Sequence, residues 1–290
     1  MGREHLTIAG EHTRPVGAVG SIAVEGAVAF LGRDDLTAVD FSDPAAPRVI
    51  GRIATRAAPI DVVVQGGRAF VATDDGIEVI DVSRPDSLRR LGVVAAGTAY
   101  GMAADGERLL VSDREQVHAW TVPADPAGAR RLGSCEVELA GRLTLRGDLL
   151  FVAADCEGMI VVDVARPDRP ARIGLFEGPG DVTRVALSGD RALVADYTGG
   201  LTVVDVSNPR RPKSIGEWDE GMVGDVAVRA DRVYLAMGDL VVVDIASPRR
   251  PREIGRHSLR EGDTAWGLEL ADGVVCAVGG AGASFWRVED

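Results

Sequence analysis

The sequence predicts an all-β protein, a seven-bladed β-propeller of four-stranded antiparallel blades, in which residues 1–290 form one domain. Three observations predict this fold. One phrase recurs about every 40 residues from end to end of the chain, which is a period typical of propellers. Each repeat contains short β-branched runs separated by Gly, Asp and Pro, without room for a helix. The last repeat stops after its third strand, and a spare strand stands at the other end of the chain.

The recurring phrase covers the third strand of a blade and the turn that follows it. Proline presets the backbone of this turn, and the short polar residue beside it bonds local amides. We therefore expect the Asp of the VVD-like segment to be a structural partner of neighbouring backbone or hydroxyl groups. The clear copies are LTAVDFSDPAAPRVIG from Leu36, IEVIDVSRPDSLRRLG from Ile77, MIVVDVARPDRPARIG from Met159, LTVVDVSNPRRPKSIG from Leu201 and LVVVDIASPRRPREIG from Leu240. Altered copies are VHAWTVPADPAGARRLG from Val117 and ASFWRVED from Ala283.

The fifth repeat shows the four strands of a blade most clearly. In chain order they are VTRVALSG at 182–189, RALVAD at 191–196, LTVVDVS at 201–207 and KSIGEW at 213–218. We call these strands a, b, c and d. Four antiparallel strands in about 40 residues make one propeller blade.

The incomplete last repeat indicates how the ring closes. The segment HLTIAGEH at 5–12 precedes the first a strand, predicted at 20–25. We expect it to pair with SFWRV of the last repeat as the outer strand of the seventh blade. This pairing would remove two open sheet edges.

The phrase VVDVSNPxxPxxIG, preceded by VAxxGDRAxVAD, resembles the LVIVD-repeat family of β-propellers. The resemblance extends over essentially the whole chain. It implies the propeller fold and no single activity, because a fold alone does not define a function.

Composition argues against several classes of function. The formal net charge of −12 opposes general binding to nucleic acid, whose affinity depends on neutralising phosphates. No apolar run approaches the roughly 20 residues of a membrane helix, and the N-terminus lacks the basic-then-apolar order of a secretory signal. We therefore expect a cytoplasmic protein that does not bind membranes.

The sequence also predicts no cofactor and no metal. It contains no GxGxxG, Walker, GxSxG or HExxH pattern and no DxDxDG-type calcium loop. Lys213 is the only lysine among 32 basic residues, which makes Schiff-base chemistry improbable. The cysteines Cys135, Cys156 and Cys276 are far apart, which indicates reduced thiols rather than a zinc site.

Function is expected where the repeats differ, at one mouth of the central channel. The a strands line this channel, and the d-to-a connections and b-to-c turns lie on the same face. One column of side chains lies at the mouth, five residues before the Gly or equivalent residue that ends each predicted a strand: Ser21, Asp61, Gly101, Arg142, Arg184, Asp225 and Gly267. The column before it contains Gly20, Ile60, Tyr100, Gly141, Thr183, Gly224 and Trp266.

These columns allow two interpretations. In one, Asp61 and Asp225 simply neutralise Arg142 and Arg184. In the other the mouth is a binding pocket, because two guanidinium groups from consecutive blades can hold one carboxylate or phosphate. The candidate substrate-binding residues are then Arg142, Arg184, Trp266, Tyr197 and Thr183, and the candidate catalytic residues are Asp61, Asp225 and Tyr100.

Two functions follow from these interpretations. The first is a cytoplasmic protein that binds an anionic, partly apolar or aromatic small molecule and can catalyse a cofactor-independent cyclisation, isomerisation or elimination. The alternative is a non-catalytic interaction scaffold. Its arginine-rich c-to-d turns would then bind an acidic protein partner.

Overall fold

The computed structural model describes residues 20–94, 97–257, 265–280 and 282–288. Over these ranges the chain is a seven-bladed β-propeller with 27 strands and one short 3-10 helix at Pro126–Gly128. Blades 1 to 6 each have four antiparallel strands in the order a-b-c-d, and blade 7 has three described strands. The predicted fold class is therefore confirmed.

The strands of the first four blades follow one another without crossovers. Blade 1 contains β1 (Ser21–Glu25), β2 (Val28–Gly32), β3 (Asp35–Asp40) and β4 (Arg48–Ala54). Blade 2 contains β5 (Asp61–Gln65), β6 (Arg68–Thr73), β7 (Gly76–Asp81) and β8 (Arg89–Val94). Blade 3 contains β9 (Gly101–Asp105), β10 (Arg108–Ser112), β11 (Arg114–Thr121) and β12 (Arg130–Ala140). Blade 4 contains β13 (Leu143–Arg146), β14 (Leu149–Ala153), β15 (Met159–Asp163) and β16 (Ala171–Phe176).

The remaining blades continue the same order. Blade 5 contains β17 (Val182–Ser188), β18 (Arg191–Asp196), β19 (Gly200–Asp205) and β20 (Lys213–Trp218). Blade 6 contains β21 (Asp225–Arg229), β22 (Arg232–Met237), β23 (Asp239–Asp244) and β24 (Arg252–His257). Blade 7 contains β25 (Ala265–Ala271), β26 (Val274–Gly279) and β27 (Gly282–Arg287).

The a strands form the inner wall of the ring, because each contacts the a strand of the next blade. β25 of blade 7 contacts β1 of blade 1, so the ring is closed at the channel. The segment at 5–12, predicted to be the outer strand of blade 7, lies outside the described residues. One face of the ring, the mouth face, carries the d-to-a connections and b-to-c turns. The other, the turn face, carries the a-to-b and c-to-d turns.

The hydrophobic core lies between blades rather than inside any one sheet. One cluster, for example, joins Leu201 and Val203 of blade 5 to Val226, Val233 and Leu235 of blade 6, all buried. Each such side chain contributes about 1.5–3 kcal/mol of transfer free energy when buried. Neighbouring blades therefore stabilise one another, as expected of an array whose units cannot bury their own faces.

The repeated phrase forms the joint between blades on the turn face. The Asp205 carboxylate accepts a hydrogen bond from the Ser207 amide at 2.9 Å, which confirms its expected structural role. The glycine that ends the phrase, Gly216, lies against the next blade's turn, where a Cβ would overlap the carbonyl oxygen of Pro248. Only glycine permits this close approach. Equivalent contacts with a carbonyl oxygen join Gly51 to Pro85, Gly133 to Asp168 and Gly174 to Pro209, and a Cβ on Gly92 would lie 3.2 Å from the Cβ of Pro126.

Candidate functional site

The predicted mouth column lies at or next to the start of each a strand, within its first three residues or, for Arg142, directly before it. The structure brings its charged members together in two groups. Each group contains a buried aspartate, and each aspartate accepts a hydrogen bond from the backbone of the following blade. The column is thus a set of contacts between blades and not seven independent side chains.

The first group crosses three blades. Asp61 of blade 2 accepts hydrogen bonds from the Met102 amide of blade 3 at 2.9 Å and from Arg142 Nη1 of blade 4 at 3.0 Å. Gly101 makes this possible, because a Cβ there would lie 2.8 Å from the Cα of Arg142. Blades 3 and 4 therefore approach closely enough for Arg142 to reach an aspartate two blades away.

The second group contains a carboxylate that the sequence analysis did not single out. Asp225 of blade 6 accepts a hydrogen bond from the Leu268 amide of blade 7 at 2.9 Å, and its Oδ1 lies 3.5 Å from Arg184 Nε. Arg184 Nη2 donates to Glu269 Oε1 at 3.3 Å. Glu269 lies two residues after Gly267, and side chains two apart on a strand share a face. The sequence could have indicated Glu269, because none of the equivalent positions in the other a strands is charged: Ala23, Val63, Ala103, Thr144, Ala186 and Ala227.

The two groups form one electrostatic cluster of three carboxylates and two guanidinium groups. Burial raises the pKa of Asp61, although Arg142 and Arg184 oppose this effect. Burial likewise raises the pKa of Glu269, against the attraction of Arg184. For Arg184, burial disfavours the charge, but Asp225, Glu269 and Asp61 outweigh it and raise its pKa. With every group ionised the cluster holds one more negative than positive charge.

Large exposed apolar side chains are confined to the mouth face among the described residues. Tyr100, Tyr197, Met222 and Trp266 are exposed by 37% to 54% of their surface. Three of the four are candidate site residues, and each lies in a d-to-a connection, in a b-to-c turn or at the start of an a strand. An exposed set confined to one face is typical of a binding surface.

Tyr100 and Trp266 are each held by a neighbouring group. The guanidinium of Arg114 lies over the Tyr100 ring at 5.3 Å from its centroid. Arg114 also pairs with Asp155 at 3.3 Å, and both residues have positive φ, at 75° and 52°. The Trp266 indole lies against Gly224, where a Cβ would be 3.2 Å from Cε3.

Thr183 does not point a free hydroxyl into the mouth. Its Oγ1 lies within hydrogen-bonding distance of two carbonyl oxygens, that of Val223 at 3.1 Å and that of Ala195 at 3.3 Å, and its one proton is shared between them. Thr183 and Trp266 lie at irregularities in the pairing of strands a and b, where one extra residue is accommodated. Such β-bulges re-aim side chains at the end of a strand. Thr183 therefore serves to shape the start of β17.

Other polar groups of the mouth face are engaged in local contacts. Asp196 is buried, and its Oδ1 accepts hydrogen bonds from Thr198 and Gly199, as in a local Asx turn. His118 lies in strand c with Nε2 2.6 Å from Oδ2 of the b-to-c residue Asp113. The cysteines Cys135, Cys156 and Cys276 are unpaired.

Two structural features are absent from the described residues. No group of three or more His, Cys, Asp or Glu side chains is placed to hold a metal ion. Within the same part of the chain, no helix has the length and apolar character needed to cross a membrane.

Comparison with known proteins supports the fold. The LVIVD repeat family matches residues 16–55, 59–94, 139–176, 179–219 and 220–258. No curated protein matches the chain. Similar solved structures include the RRP9 WD40 repeats, with 11% identity, TM-score 0.76 and coverage of 98% of this chain and 97% of that one. Saccharomyces cerevisiae Sqt1 has 10% identity, TM-score 0.72 and full coverage of both chains. The computationally designed Ika8 protein has 11% identity, TM-score 0.65 and coverage of 97% and 98%.

The matched segments correspond to blades 1, 2, 4, 5 and 6. Blades 3 and 7, which lie outside them, carry Tyr100 and Trp266 at equivalent positions, each followed by a glycine. In both cases the preceding blade supplies the aspartate whose carboxylate bonds the backbone just after that glycine. The two departures from the repeat therefore coincide with two of the three exposed aromatic residues of the mouth face, Tyr100 and Trp266.

Proposed function

The chain belongs to the LVIVD-repeat family, whose repeated phrase forms the scaffold, and we propose that the mouth face, where the repeats differ, binds a small molecule. The proposed ligand carries a carboxylate or phosphate together with an aromatic or apolar group. The observation that supports it most directly is the confinement of the exposed large apolar side chains to the face that also presents two arginines.

The arginines retain capacity for an anion although both are paired. A guanidinium has five N–H donors. Arg142 uses one of them on Asp61, and its side chain remains 28% exposed. Arg184 is directed to Asp225 and Glu269 and remains 20% exposed. Guanidinium groups prefer planar, two-pronged pairing with carboxylate or phosphate, so the remaining donors are suited to this ligand class.

The charge of the cluster couples anion binding to a proton. An anion that approaches three carboxylates and two guanidinium groups would add to an existing negative excess. The pKa values of Asp61 and Glu269 are already raised by burial, and a bound anion would raise them further. Protonation of one carboxyl would then accompany binding, and affinity should increase as the pH falls.

The geometry favours Glu269 over the aspartates for any acid–base chemistry. Asp61 and Asp225 each accept a backbone hydrogen bond and face an arginine, and both are buried. Glu269 is 33% exposed and has a raised pKa, which suits proton exchange with a bound molecule. A cofactor-independent cyclisation, isomerisation or elimination remains the class of reaction that such a carboxyl can assist.

The proposal is tested by thermal-shift and calorimetric titration with four probes. Indole-3-acetate and phenyl phosphate combine an anion with a ring, whereas indole and inorganic phosphate each supply one part. We expect the combined probes to raise the melting temperature, since ligands that bind only the folded state stabilise it. Arg142→Gln and Arg184→Gln should each weaken their binding by about 1.5–3 kcal/mol, the range for hydrogen bonds to charged groups.

Trp266→Ala should weaken binding of the ring-containing probes and leave inorganic phosphate unaffected. Arg84→Gln, on the turn face, is the matched control and should bind like wild type. If both arginine variants fold normally and bind every probe as wild type does, the cluster is structural only. The mouth-face proposal would then be wrong.

A further inference from the structure

The c-to-d turns of the turn face differ in charge at two positions although their backbone is repeated. Each turn contains a proline, and in blades 2 to 6 this proline or the residue after it meets a glycine of the preceding blade. In blades 1 to 6 the residue after this proline is Ala45, Asp86, Ala127, Asp168, Arg210 and Arg249. The next residue is Ala46, Ser87, Gly128, Arg169, Arg211 and Arg250. Only blades 5 and 6 carry arginine at both positions.

The turns of blades 2 and 4 each contain an aspartate beside their arginines. Arg84 Nε lies 4.0 Å from Asp86 Oδ1. In blade 4, Asp168 Oδ2 lies 3.4 Å from Arg166 and 3.9 Å from Arg169. The blade 2 pair is therefore neutral, and the two arginines and one aspartate of blade 4 leave a single positive charge.

The turns of blades 5 and 6 are different. Arg210, Arg211, Arg249 and Arg250 are exposed, and none has a carboxylate partner among residues 20–94, 97–257, 265–280 and 282–288. We call these four residues the double-arginine patch. Lys213, the chain's only lysine, is exposed in the same blade 5 connection.

The patch is fixed in position by the backbone that carries it. The Arg210 amide donates to Asn208 Oδ1 at 3.1 Å and the Arg211 amide to the Asn208 carbonyl at 2.9 Å. Contact between Gly216 in strand d of blade 5 and Pro248 holds the blade 6 turn against blade 5. The four exposed arginines thus lie on the turns of two consecutive blades, and these contacts fix the backbone of both turns.

The joint itself does not need these arginines. Ala45 and Asp86 occupy the equivalent position in blades 1 and 2, where Gly51 makes the same contact with Pro85. The like charges of consecutive residues, Arg210 with Arg211 and Arg249 with Arg250, also repel one another. The arginines therefore require an explanation other than folding.

We propose that the double-arginine patch docks an acidic segment of a partner protein. Each guanidinium can pair with a carboxylate through two parallel hydrogen bonds. Among the described residues, the exposed large aromatic side chains lie on the opposite face, so the patch lacks the stacking surface that single-stranded nucleic acid uses. The net charge of −12 also repels a long polyanion beyond the patch, whereas a short acidic peptide contacts the patch alone.

The test measures fluorescence anisotropy of a labelled deca-glutamate peptide at low ionic strength with the full chain. The docking variant is Arg210→Asp with Arg249→Asp. The matched control is Arg84→Asp with Arg169→Asp, which changes the net charge by the same amount on blades 2 and 4. Circular dichroism and the melting temperature establish that both variants are folded.

We expect wild type to bind the peptide, the docking variant to lose at least about tenfold in affinity, and the control to change less than about twofold. Added salt should weaken wild-type binding. The proposal is overturned if wild type does not bind, if the control loses as much affinity as the docking variant, or if a single-stranded oligonucleotide of equal charge binds at least as tightly.

Discussion

The two faces of the ring use equivalent positions in opposite ways. On the turn face, the same residue types recur because blades 1 to 5 make the same kind of joint with the blade that follows, as where Gly216 meets Pro248. On the mouth face, equivalent residues differ, and their charges combine across blades, as where Arg142 reaches Asp61. Residue types that recur therefore mark the shared contacts between blades. Residue types that differ mark positions at which one blade makes a contact of its own.

The largest effect should come from breaking one turn-face joint. Gly216→Ala places a methyl group on the carbonyl oxygen of Pro248, and the strand or the turn must move. Overpacking of this kind destabilises by typically 1–3 kcal/mol, and we expect about 3 kcal/mol in urea unfolding. Gly255→Ala is the matched control, since the nearest described atom to its Cβ would be 3.9 Å away. A similar loss of unfolding free energy in both variants would contradict a stabilising contact between Gly216 and Pro248.

The two faces can also be compared through the stability lost when an aspartate of each face is replaced by alanine. Asp61→Ala leaves the buried Met102 amide and Arg142 without their acceptor, and we expect about 2 kcal/mol of destabilisation. Asp205→Ala removes an exposed hydrogen bond to Ser207, so its loss should be smaller. Denaturant midpoints measure both. Equal losses would mean that the mouth-face aspartate is no more structural than the repeated one.

Glu269→Gln should have a smaller, pH-dependent effect. The pKa of folded Glu269 lies above its ordinary value of 4.5 because of burial. As the pH falls through the folded pKa towards 4.5, the folded wild type takes up a proton before the unfolded chain does and gains stability. The advantage of the glutamine variant should therefore be largest at high pH and decline as the pH falls.

The neighbouring charges act in the same direction. Arg142, Arg184, Asp61 and Asp225 face Glu269, and without the Glu269 charge the pKa of Asp61 is raised less, so the variant also gains less stability from Asp61 as the pH falls. Melting temperatures from pH 8 to pH 4 provide the measurement. If the melting temperature of the glutamine variant instead increased relative to wild type as the pH fell, the ionised Glu269 carboxylate would stabilise the folded protein.

The smallest effect is expected for an ion pair of the turn face. Arg84 and Asp86 are 4.0 Å apart, and both are mostly exposed. Surface pairs of this type contribute between about 0 and 1 kcal/mol. Arg84→Ala should therefore change the unfolding free energy by less than about 0.5 kcal/mol, and a larger change would assign this turn a role in the joint.

The sequence predicted the scaffold closely, because its signals are local. Predicted strands a, b and d of blade 5 match β17, β18 and β20 to within one residue. Strand c ends two residues early, at Asp205, because this residue starts the turn through its bond to Ser207. The β-branched runs and the proline turns act within a few residues, so their pattern is sufficient.

The site could be predicted only as a set of residues at one mouth. The column placed Asp61, Arg142, Arg184 and Asp225 together, but not their pairing. That Arg142 reaches Asp61 across blade 3 depends on the approach allowed by Gly101, which is a contact between distant parts of the chain. Tyr197 and Tyr100 lie on the expected face, whereas the engagement of the Thr183 hydroxyl depends on a bulge that no local pattern indicates.

The glycine-to-proline joint has a consequence for how such a chain can grow during evolution. Both halves of the joint belong to the same repeated phrase, and the glycine of one copy meets the proline of the next. A gene segment duplicated at any point within the array would encode a new blade that already fits both of its neighbours. Copies could then diverge at the mouth without loss of assembly, as blade 3 has done: it keeps Gly133 and Pro126 while carrying Tyr100.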